Sequence, residues 1–179
     1  QRKSPVEEAW PGDIVGLPDN GIFKIGDTLT EGDMLHFRGL PSFSPELFKY
    51  IENDDPMKSK QFQKGLEQLM NEGVAQLFVN QFNNRRIVGT VGQLQFEVIQ
   101  YRLEHEYNAR CRWEPVHLHK ACWIEADSEE ELERFKKRKY QYMAKDIEGR
   151  DVFLADSGYV LSMAQQDFEH VKFHFTSEF

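Results

Sequence analysis

The chain has 179 residues and a formal net charge of −8, from 22 basic and 30 acidic side chains. This balance excludes a protein that is basic over its whole surface, so any contact with a nucleic acid should be local. No stretch approaches the roughly 20 apolar residues of a membrane span. Two cysteines are too few for a secreted disulfide framework. We therefore expect a cytoplasmic protein without membrane contact.

The first 43 residues differ from the rest because glycine and proline separate short apolar runs, such as residues 14–15 and 35–37. This pattern predicts short β-strands joined by tight turns. So few strands cannot close a barrel or a sandwich. Either this segment packs on the rest of the chain, or the chain begins in the middle of a domain.

From residue 44 onward, apolar residues recur with the spacings of both strands and helices. A first helix should have Pro56 in its first turn and end at Gly73. Its apolar stripe consists of Phe62, Leu66, Leu69 and Met70. Strands are predicted over residues 46–52, 74–79, 86–91 and 109–114. A second long helix carries a wide apolar face made of Leu94, Phe96, Val98, Ile99, Tyr101, Leu103 and Tyr107.

The last third of the chain repeats this order of elements. Strands are predicted over residues 118–125, 142–145, 151–155 and 171–175, and helices over residues 128–138 and 157–168. The order β-α-β-β-α-β is that of the ferredoxin-like plan. We therefore predict an α+β fold in which residues 44–179 form one α/β domain of two ferredoxin-like halves, residues 44–116 and 117–179.

The chain contains no signature of a nucleotide or catalytic site. No segment fits the phosphate-binding loop Gly-x-x-x-x-Gly-Lys-Ser/Thr. Asp13–Gly16 and Asp146–Gly149 fit the short pattern Asp-x-x-Gly, but ordinary turn chemistry explains both. No catalytic pair of carboxylates can be nominated. We predict that this chain is not an enzyme and has no catalytic, cofactor-binding or metal-binding residue.

The two cysteines invite a metal-site interpretation because His117 and His119 would share one face of a strand. Cys122, however, should lie on the opposite face, with Leu118 and Ile124. These groups would then not converge with Cys111. The favoured interpretation is a half-buried strand with exposed histidines.

Two groups of basic residues stand out. Glu129, Glu130, Glu131 and Glu133 crowd the start of the helix that follows Ser128, and basic residues crowd its end. A capping box of Ser128 with Glu131 and the ion pairs Glu130 with Arg134 and Glu133 with Lys137 explain this pattern structurally. The alternative is a basic cluster that contacts phosphate or an acidic partner. With the predicted hairpin tip after Asn83, the candidate contact residues are Asn84, Arg85, Arg86, Lys136, Lys137, Arg138 and Lys139.

Several stretches resemble translational GTPases. Residues 9–17 with 25–29 are similar to the end of the β-barrel domain that follows the G domain. Residues 92–99 with 102–108 are similar to a helix of the next domain, shared in outline with elongation factor G. Residues 39–48, 64–69 and 72–78 look specifically like the bacterial class-II peptide chain release factor family. The resemblance runs over essentially the whole chain.

This resemblance implies a GTPase that binds the ribosome after peptide release and promotes dissociation of the class-I release factor. Its partners would be rRNA, ribosomal proteins, the class-I factor and its own G domain, and the full-length protein would bind GTP and magnesium. Because the G domain is absent here, we expect a C-terminal fragment. Residues 1–43 would then be the last strands of an incomplete barrel, followed by the α/β domain of residues 44–179.

Three alternatives remain open at this point. The chain could be a free-standing RNA-binding pair of ferredoxin-like units, although it lacks the aromatic signature of an RNA recognition motif. It could be a fragment of an elongation factor G-like translocation GTPase. It could also be a small acylphosphatase-like hydrolase, for which fold analogy is the only support.

Overall fold

The computed structural model describes residues 43–178 of the chain. The predicted barrel strands therefore lie outside the described residues, apart from Phe43, and they stay a prediction. The boundaries of the predicted domains likewise stay a prediction. The described residues form two successive groups of four strands and two helices, in the predicted order β-α-β-β-α-β. The α+β fold class is confirmed.

The first group begins with strand β1, Leu47–Asn53, followed by a short 3₁₀ turn, Pro56–Lys58. It continues with α1 (Ser59–Asn71), β2 (Gln76–Asn80), β3 (Arg86–Thr90), α2 (Leu94–Tyr107) and β4 (Cys111–Pro115). The second group contains β5 (Lys120–Ala126), α3 (Glu129–Arg138), a 3₁₀ turn (Tyr140–Tyr142), β6 (Met143–Lys145), β7 (Asp151–Ala155), α4 (Gly158–Asp167) and β8 (Val171–His174).

Local chemistry explains the helix boundaries. The carboxylate of Asp55 accepts a hydrogen bond from the N–H of Met57, so Pro56 can occupy the first turn without losing a needed donor. Gly73 follows α1 with a φ of 77°, as the sequence predicts for a left-handed cap. Ser128 and Ser157 cap α3 and α4 by accepting hydrogen bonds from the N–H groups of Glu131 and Val160.

The ion pairs of α3 differ from the predicted ones. Arg134 binds Glu131 at 3.1 Å and Lys136 binds Glu133 at 3.4 Å, both with a spacing of three residues. The predicted pairs with a spacing of four residues are therefore wrong. Either spacing brings side chains together on a helix surface, so the sequence alone does not decide between them.

All eight described strands belong to one antiparallel sheet with the order β4-β1-β3-β2-β6-β7-β5-β8. Within each group the fourth strand pairs with the first, the first with the third and the third with the second. The predicted repeat is thus a repeat of topology. The two groups are joined where β2 pairs with β6, through Val79 with Lys145 and Asn80 with Ala144.

The helices of both groups pack on the same face of this sheet. Under α1 and α2, one core cluster unites the predicted stripe of Phe62, Leu66, Leu69 and Met70 with strand residues such as Ile51. Under α3 and α4, a second cluster includes Cys122, Ile124, Phe135 and Phe153. No helix of residues 43–178 is long and apolar enough to cross a membrane.

Helix α2 differs from its prediction because its apolar residues divide between two opposite faces. Phe96, Ile99 and Leu103 are buried against the sheet and α1. Tyr107 is half-buried and packs against the same cluster. The remaining predicted members are exposed, at 68% for Leu94, 36% for Val98 and 62% for Tyr101. The sheet covers only one side of the helix, and positions 94, 98 and 101 lie on the other side.

The sheet is strongly curled, and its helix-free face encloses a third core. In a flat sheet, β4 and β5 would lie six strand spacings apart, about 29 Å. The chain from Pro115 to Lys120 can span at most about 18 Å. The rings of Phe78 on β2 and Trp123 on β5 are 5.6 Å apart, which only a curled sheet permits.

This third core, hereafter the shared core, takes side chains from both groups. Phe48, Phe78 and Ile87 come from the first group, and Ala121, Trp123, Ala144, Val152 and Leu154 come from the second. Leu118 also packs here, not beside Cys122 as predicted, because β5 begins only at Lys120. Because this face is buried, it is not available as the exposed platform on which an RNA recognition motif stacks bases.

Candidate functional site

The structure brings the two predicted basic segments together at one end of the described region. The hydroxyl of Tyr140 donates a hydrogen bond to the carbonyl oxygen of Gln81 at 3.3 Å, and the rings of Phe82 and Tyr140 meet edge to face at 5.8 Å. The N–H of Gln81 also donates to the carbonyl oxygen of Met143. We call the surface made by residues 81–86 and 136–142 the paired-tip surface.

Side-chain hydrogen bonds hold the β2–β3 loop in place. The side-chain oxygen of Asn80, a buried residue, accepts from the N–H groups of Phe82 at 2.8 Å and Asn83 at 3.3 Å. Asn83 in turn accepts from the N–H of Arg85 at 3.0 Å. Asn84 is exposed and takes a positive φ of 58°, which asparagine tolerates better than most residues. The loop is therefore a defined structure that presents Phe82 to solvent.

Arg85 is engaged inside the chain. Its guanidinium forms ion pairs with Glu52 and Glu114 and lies over the ring of Tyr50, 3.7 Å from the ring centre. The hydrogen bond with Arg85 lowers the pKa of Glu114, and the same bond raises the pKa of Arg85. The charge of Arg85 is thus balanced by two carboxylates, and its structural role is to join the loop to β1 and β4.

Arg86 is engaged on a different side of the sheet. It donates to the side-chain oxygen of Gln63 at 2.7 Å and lies over the ring of Phe62, both on α1. Successive strand residues point to opposite faces, so the two arginines of the predicted tip separate. Whether Asn84, Arg85 or Arg86 contacts a partner stays a prediction.

The basic residues at the end of α3 divide into one engaged residue and three available ones. Lys136 lies 3.4 Å from a carboxylate oxygen of Glu133 and 3.5 Å from one of Asp151. Lys137 and Arg138 are exposed and Lys139 is half-buried. Within residues 43–178 none of these last three forms an ion pair. Their charges are available to an external anion.

A cavity of about 380 Å³ lies between the β2–β3 loop and the segment that follows α3. Its apolar lining includes Ile87 and Leu154 of the shared core, and Tyr50 and Phe82 supply aromatic walls. Its polar lining comprises Asn80, Asn83, His117, Gln141 and Asp156. Phe82 and Tyr140 are not among the contact residues predicted from the sequence, although an aromatic residue within the polar run from Asn80 to Asn84 is a usable signal.

A second cavity, of about 390 Å³, lies beside the β6–β7 hairpin and is lined in part by Trp123 and Asp146. Asp146 accepts from the N–H groups of Glu148 and Arg150, and Gly149 has a φ of 79°. The interpretation of Asp146–Gly149 as a turn is therefore confirmed. The other match, Asp13–Gly16, lies outside the described residues.

The two cysteines are separated and protected. Cys111 belongs to the core under α1 and α2, and Cys122 to the core under α3 and α4. Burial raises the pKa of each thiol to about 12, with the charge of Glu104 adding to the effect at Cys111. His117 and His119 are exposed, as expected, but they lie in the connection between β4 and β5 and not on a strand as predicted. No three His, Cys, Asp or Glu side chains of the described region are grouped to hold a metal ion.

Comparison with known proteins assigns the fold to a family. Residues 37–165, which include the whole paired-tip surface, match the family described as class II release factor RF3, C-terminal domain. The chain belongs to this family. The class II release factor domain therefore accounts for both strand groups up to α4, and the chain is a C-terminal part of a translation factor of this type.

One solved structure that the release factor chain resembles in part is a crystal structure of a protein from Thermus thermophilus. It is 14% identical over 55% of the release factor chain, with a TM-score of 0.39. The matched region makes up 17% of that protein. The release factor chain thus corresponds to a small part of the length of this relative.

Proposed function

We propose that this chain is the ribosome-contacting C-terminal region of a GTP-dependent termination factor, which promotes dissociation of class-I release factors after peptide release. Membership of the class II release factor family supports the role in termination. GTP and magnesium would bind to a G domain outside this sequence, and the chain itself would contribute no catalytic residue. Its location would be cytoplasmic, and its partners would be the ribosome, the class-I factor and the G domain.

The observation that carries the proposed ribosome contact is the available positive charge of the paired-tip surface. Lys137, Arg138 and Lys139 follow one another at the end of α3, and within residues 43–178 they have no acidic partner. Phosphate groups of rRNA are anions that such a cluster can bind. The overall charge of −8 does not oppose this contact, since exposed charges more than about 10 Å away are largely screened at physiological salt.

The shared core supports a mechanical role for the domain. Both strand groups contribute buried side chains to it, so the two groups should move as one body. In the proposed mechanism, the nucleotide bound to the G domain changes the orientation of this body, and the fit of the paired-tip surface on the ribosome changes with it. Arg85 and Lys136 would support the surface through their internal ion pairs.

A pair of charge-reversal variants tests the contact. The double variant that combines Lys137→Glu and Arg138→Glu should bind purified ribosomes about tenfold more weakly or worse, because two phosphate contacts are lost. The salt dependence of its affinity should also be smaller. Binding would be measured by ribosome pelleting over a series of salt concentrations. The matched control is Lys60→Glu with Lys64→Glu, two exposed lysines on α1. Equal effects of the two variants, or no effect of either, would contradict the proposal.

A further inference from the structure

The paired-tip surface exposes two aromatic rings beside an open cavity. The side chains of Phe82 and Tyr140 are 57% and 51% exposed, although their rings touch each other. Neither ring contributes to the core clusters of the described region. Large apolar side chains that stay exposed next to a cavity are typical of a binding surface.

The cavity beside these rings combines an apolar floor with a rim of exposed polar side chains. Ile87 and Leu154 belong to its floor. His117, Gln141 and Asp156 belong to its rim, and their side chains form no hydrogen bond or ion pair with the rest of residues 43–178. An imidazole, an amide and a carboxylate together offer both donors and acceptors. A flat ligand with apolar faces and polar groups along its edge would match this lining.

We propose that this cavity binds a single unstacked base of an RNA loop. The base would stack on Phe82, which lines the cavity and is supported edge to face by Tyr140. Its edge would form hydrogen bonds with the polar rim, and the neighbouring phosphates would contact Lys137, Arg138 and Lys139. This combination of aromatic stacking, edge recognition and cationic contact is how proteins bind single-stranded RNA. The inference rests on the proposed function, since it names the part of the ribosome that the same surface recognises.

RNA fits these observations better than a protein partner. An apolar side chain inserted into the cavity would bury His117, Gln141 and Asp156 without hydrogen-bond partners, which is costly. A base satisfies such groups along its edge. The adjacent run of three available cations also matches a phosphate backbone, whereas a protein segment would need a run of acidic residues.

A photocrosslinking experiment separates these partners. The complete 179-residue chain carrying p-benzoylphenylalanine in place of Phe82 would be irradiated with purified ribosomes. We expect crosslinks to rRNA at unpaired nucleotides. The control places the same probe at Tyr159, which is 74% exposed on α4. Crosslinks from position 82 only to ribosomal protein, only to paired rRNA, or no more abundant than from position 159 would overturn the inference.

A binding experiment distinguishes this inference from the proposed function. Phe82→Leu should lower the affinity for ribosomes about 5- to 100-fold through lost stacking, and Tyr159→Leu should leave it unchanged. Circular dichroism would establish that both variants keep the fold. If the double variant Lys137→Glu and Arg138→Glu weakens binding but Phe82→Leu does not, the proposed base-binding role of the cavity is wrong. The proposed ribosome contact then stands. If the unaltered chain does not bind ribosomes, both are overturned.

Discussion

Asp146 satisfies four hydrogen-bond donors with one carboxylate that is only 8% exposed. It accepts from the indole N–H of Trp123 at 2.9 Å, from two backbone N–H groups and from the guanidinium of Arg150 at 2.8 Å. Trp123 lies in the shared core, so Asp146 connects the β6–β7 turn to this core. The side chain therefore has a structural role that a short sequence pattern does not reveal.

Replacing Asp146→Ala should destabilise the protein by about 1–3 kcal/mol, because the buried indole N–H of Trp123 loses its acceptor. The loss would be measured by urea unfolding. Glu148→Ala is the matched control, since Glu148 is an exposed acidic residue of the same turn. We expect a change within about 0.5 kcal/mol for this control. Similar losses from the two variants would show that the indole contact does not stabilise the fold.

The basic residues show where sequence analysis reaches its limit. The sequence shows that Arg85 and Arg86 are cationic and lie near a turn, but their acceptors on β1, β4 and α1 are distant in sequence. A substitution Arg85→Glu would place a third carboxylate beside Glu52 and Glu114, so it would perturb the fold as well as any external contact. Lys137 and Arg138 are better positions for testing an external contact, because within residues 43–178 they form no ion pair that a substitution would break.

At the scale of elements, α1 and α2 approach so closely that one position admits only glycine. A Cβ atom at Gly65 would lie 2.7 Å from Cγ of Tyr107 and 2.8 Å from a methyl carbon of Leu103. The two helices are also joined by the ion pair of Arg102 on α2 with Glu72, the residue that follows α1, and Glu106 binds the same guanidinium from within α2. Hydrogen bonds and the positive charge of Arg102 lower the pKa of Glu72.

Gly65→Ala should destabilise the protein by about 1–3 kcal/mol through overpacking, although alanine is the better helix former by about 1 kcal/mol. The comparison is Gly158→Ala in the first turn of α4, where the nearest atom to the new Cβ would be 3.7 Å away. That substitution should be neutral or slightly stabilising. Thermal unfolding of both variants would measure the difference. A stabilising effect of Gly65→Ala would contradict the close approach of the helices.

The elements also show which features of the fold can be predicted from sequence. The stripe of α1 and the Ser128 cap of α3 depend on neighbouring residues, and the structure confirms them. The two apolar faces of α2 could not be separated in this way, because Leu94 and Ile99 are equally apolar. Only the position of the sheet decides that Ile99 is buried and Leu94 exposed. The same reason explains why the sequence does not predict the contact of Phe82 with Tyr140.

At the scale of the whole molecule, the curled sheet makes two topologically similar groups into one cooperative body. The sequence predicts each group, because most of its elements are defined by local patterns. It does not predict that β2 pairs with β6 or that the helix-free faces close over a common core. The common core follows from the short connection between β4 and β5, whose effect depends on the order of the eight strands within residues 43–178.

Ile87→Val tests this cooperativity because Ile87 belongs to the first group but packs in the shared core. The lost methyl group should cost about 1 kcal/mol. The slowest-exchanging amide hydrogens should then exchange about fivefold faster in β7 as well as in β2, because both report on the same global unfolding. Hydrogen exchange followed by NMR would measure these rates. Faster exchange confined to the first group would show that the groups unfold independently.

The strand order also bears on how the protein avoids aggregation. An open sheet keeps two edges whose backbone groups could pair with another chain, and among residues 43–178 those edges are β4 and β8. β4 carries Arg112 and Glu114 and ends at Pro115, while β8 is only four residues long and includes Lys172. Charge, proline and short length all discourage pairing between molecules. The curled sheet can therefore remain open without acting as a template for self-association.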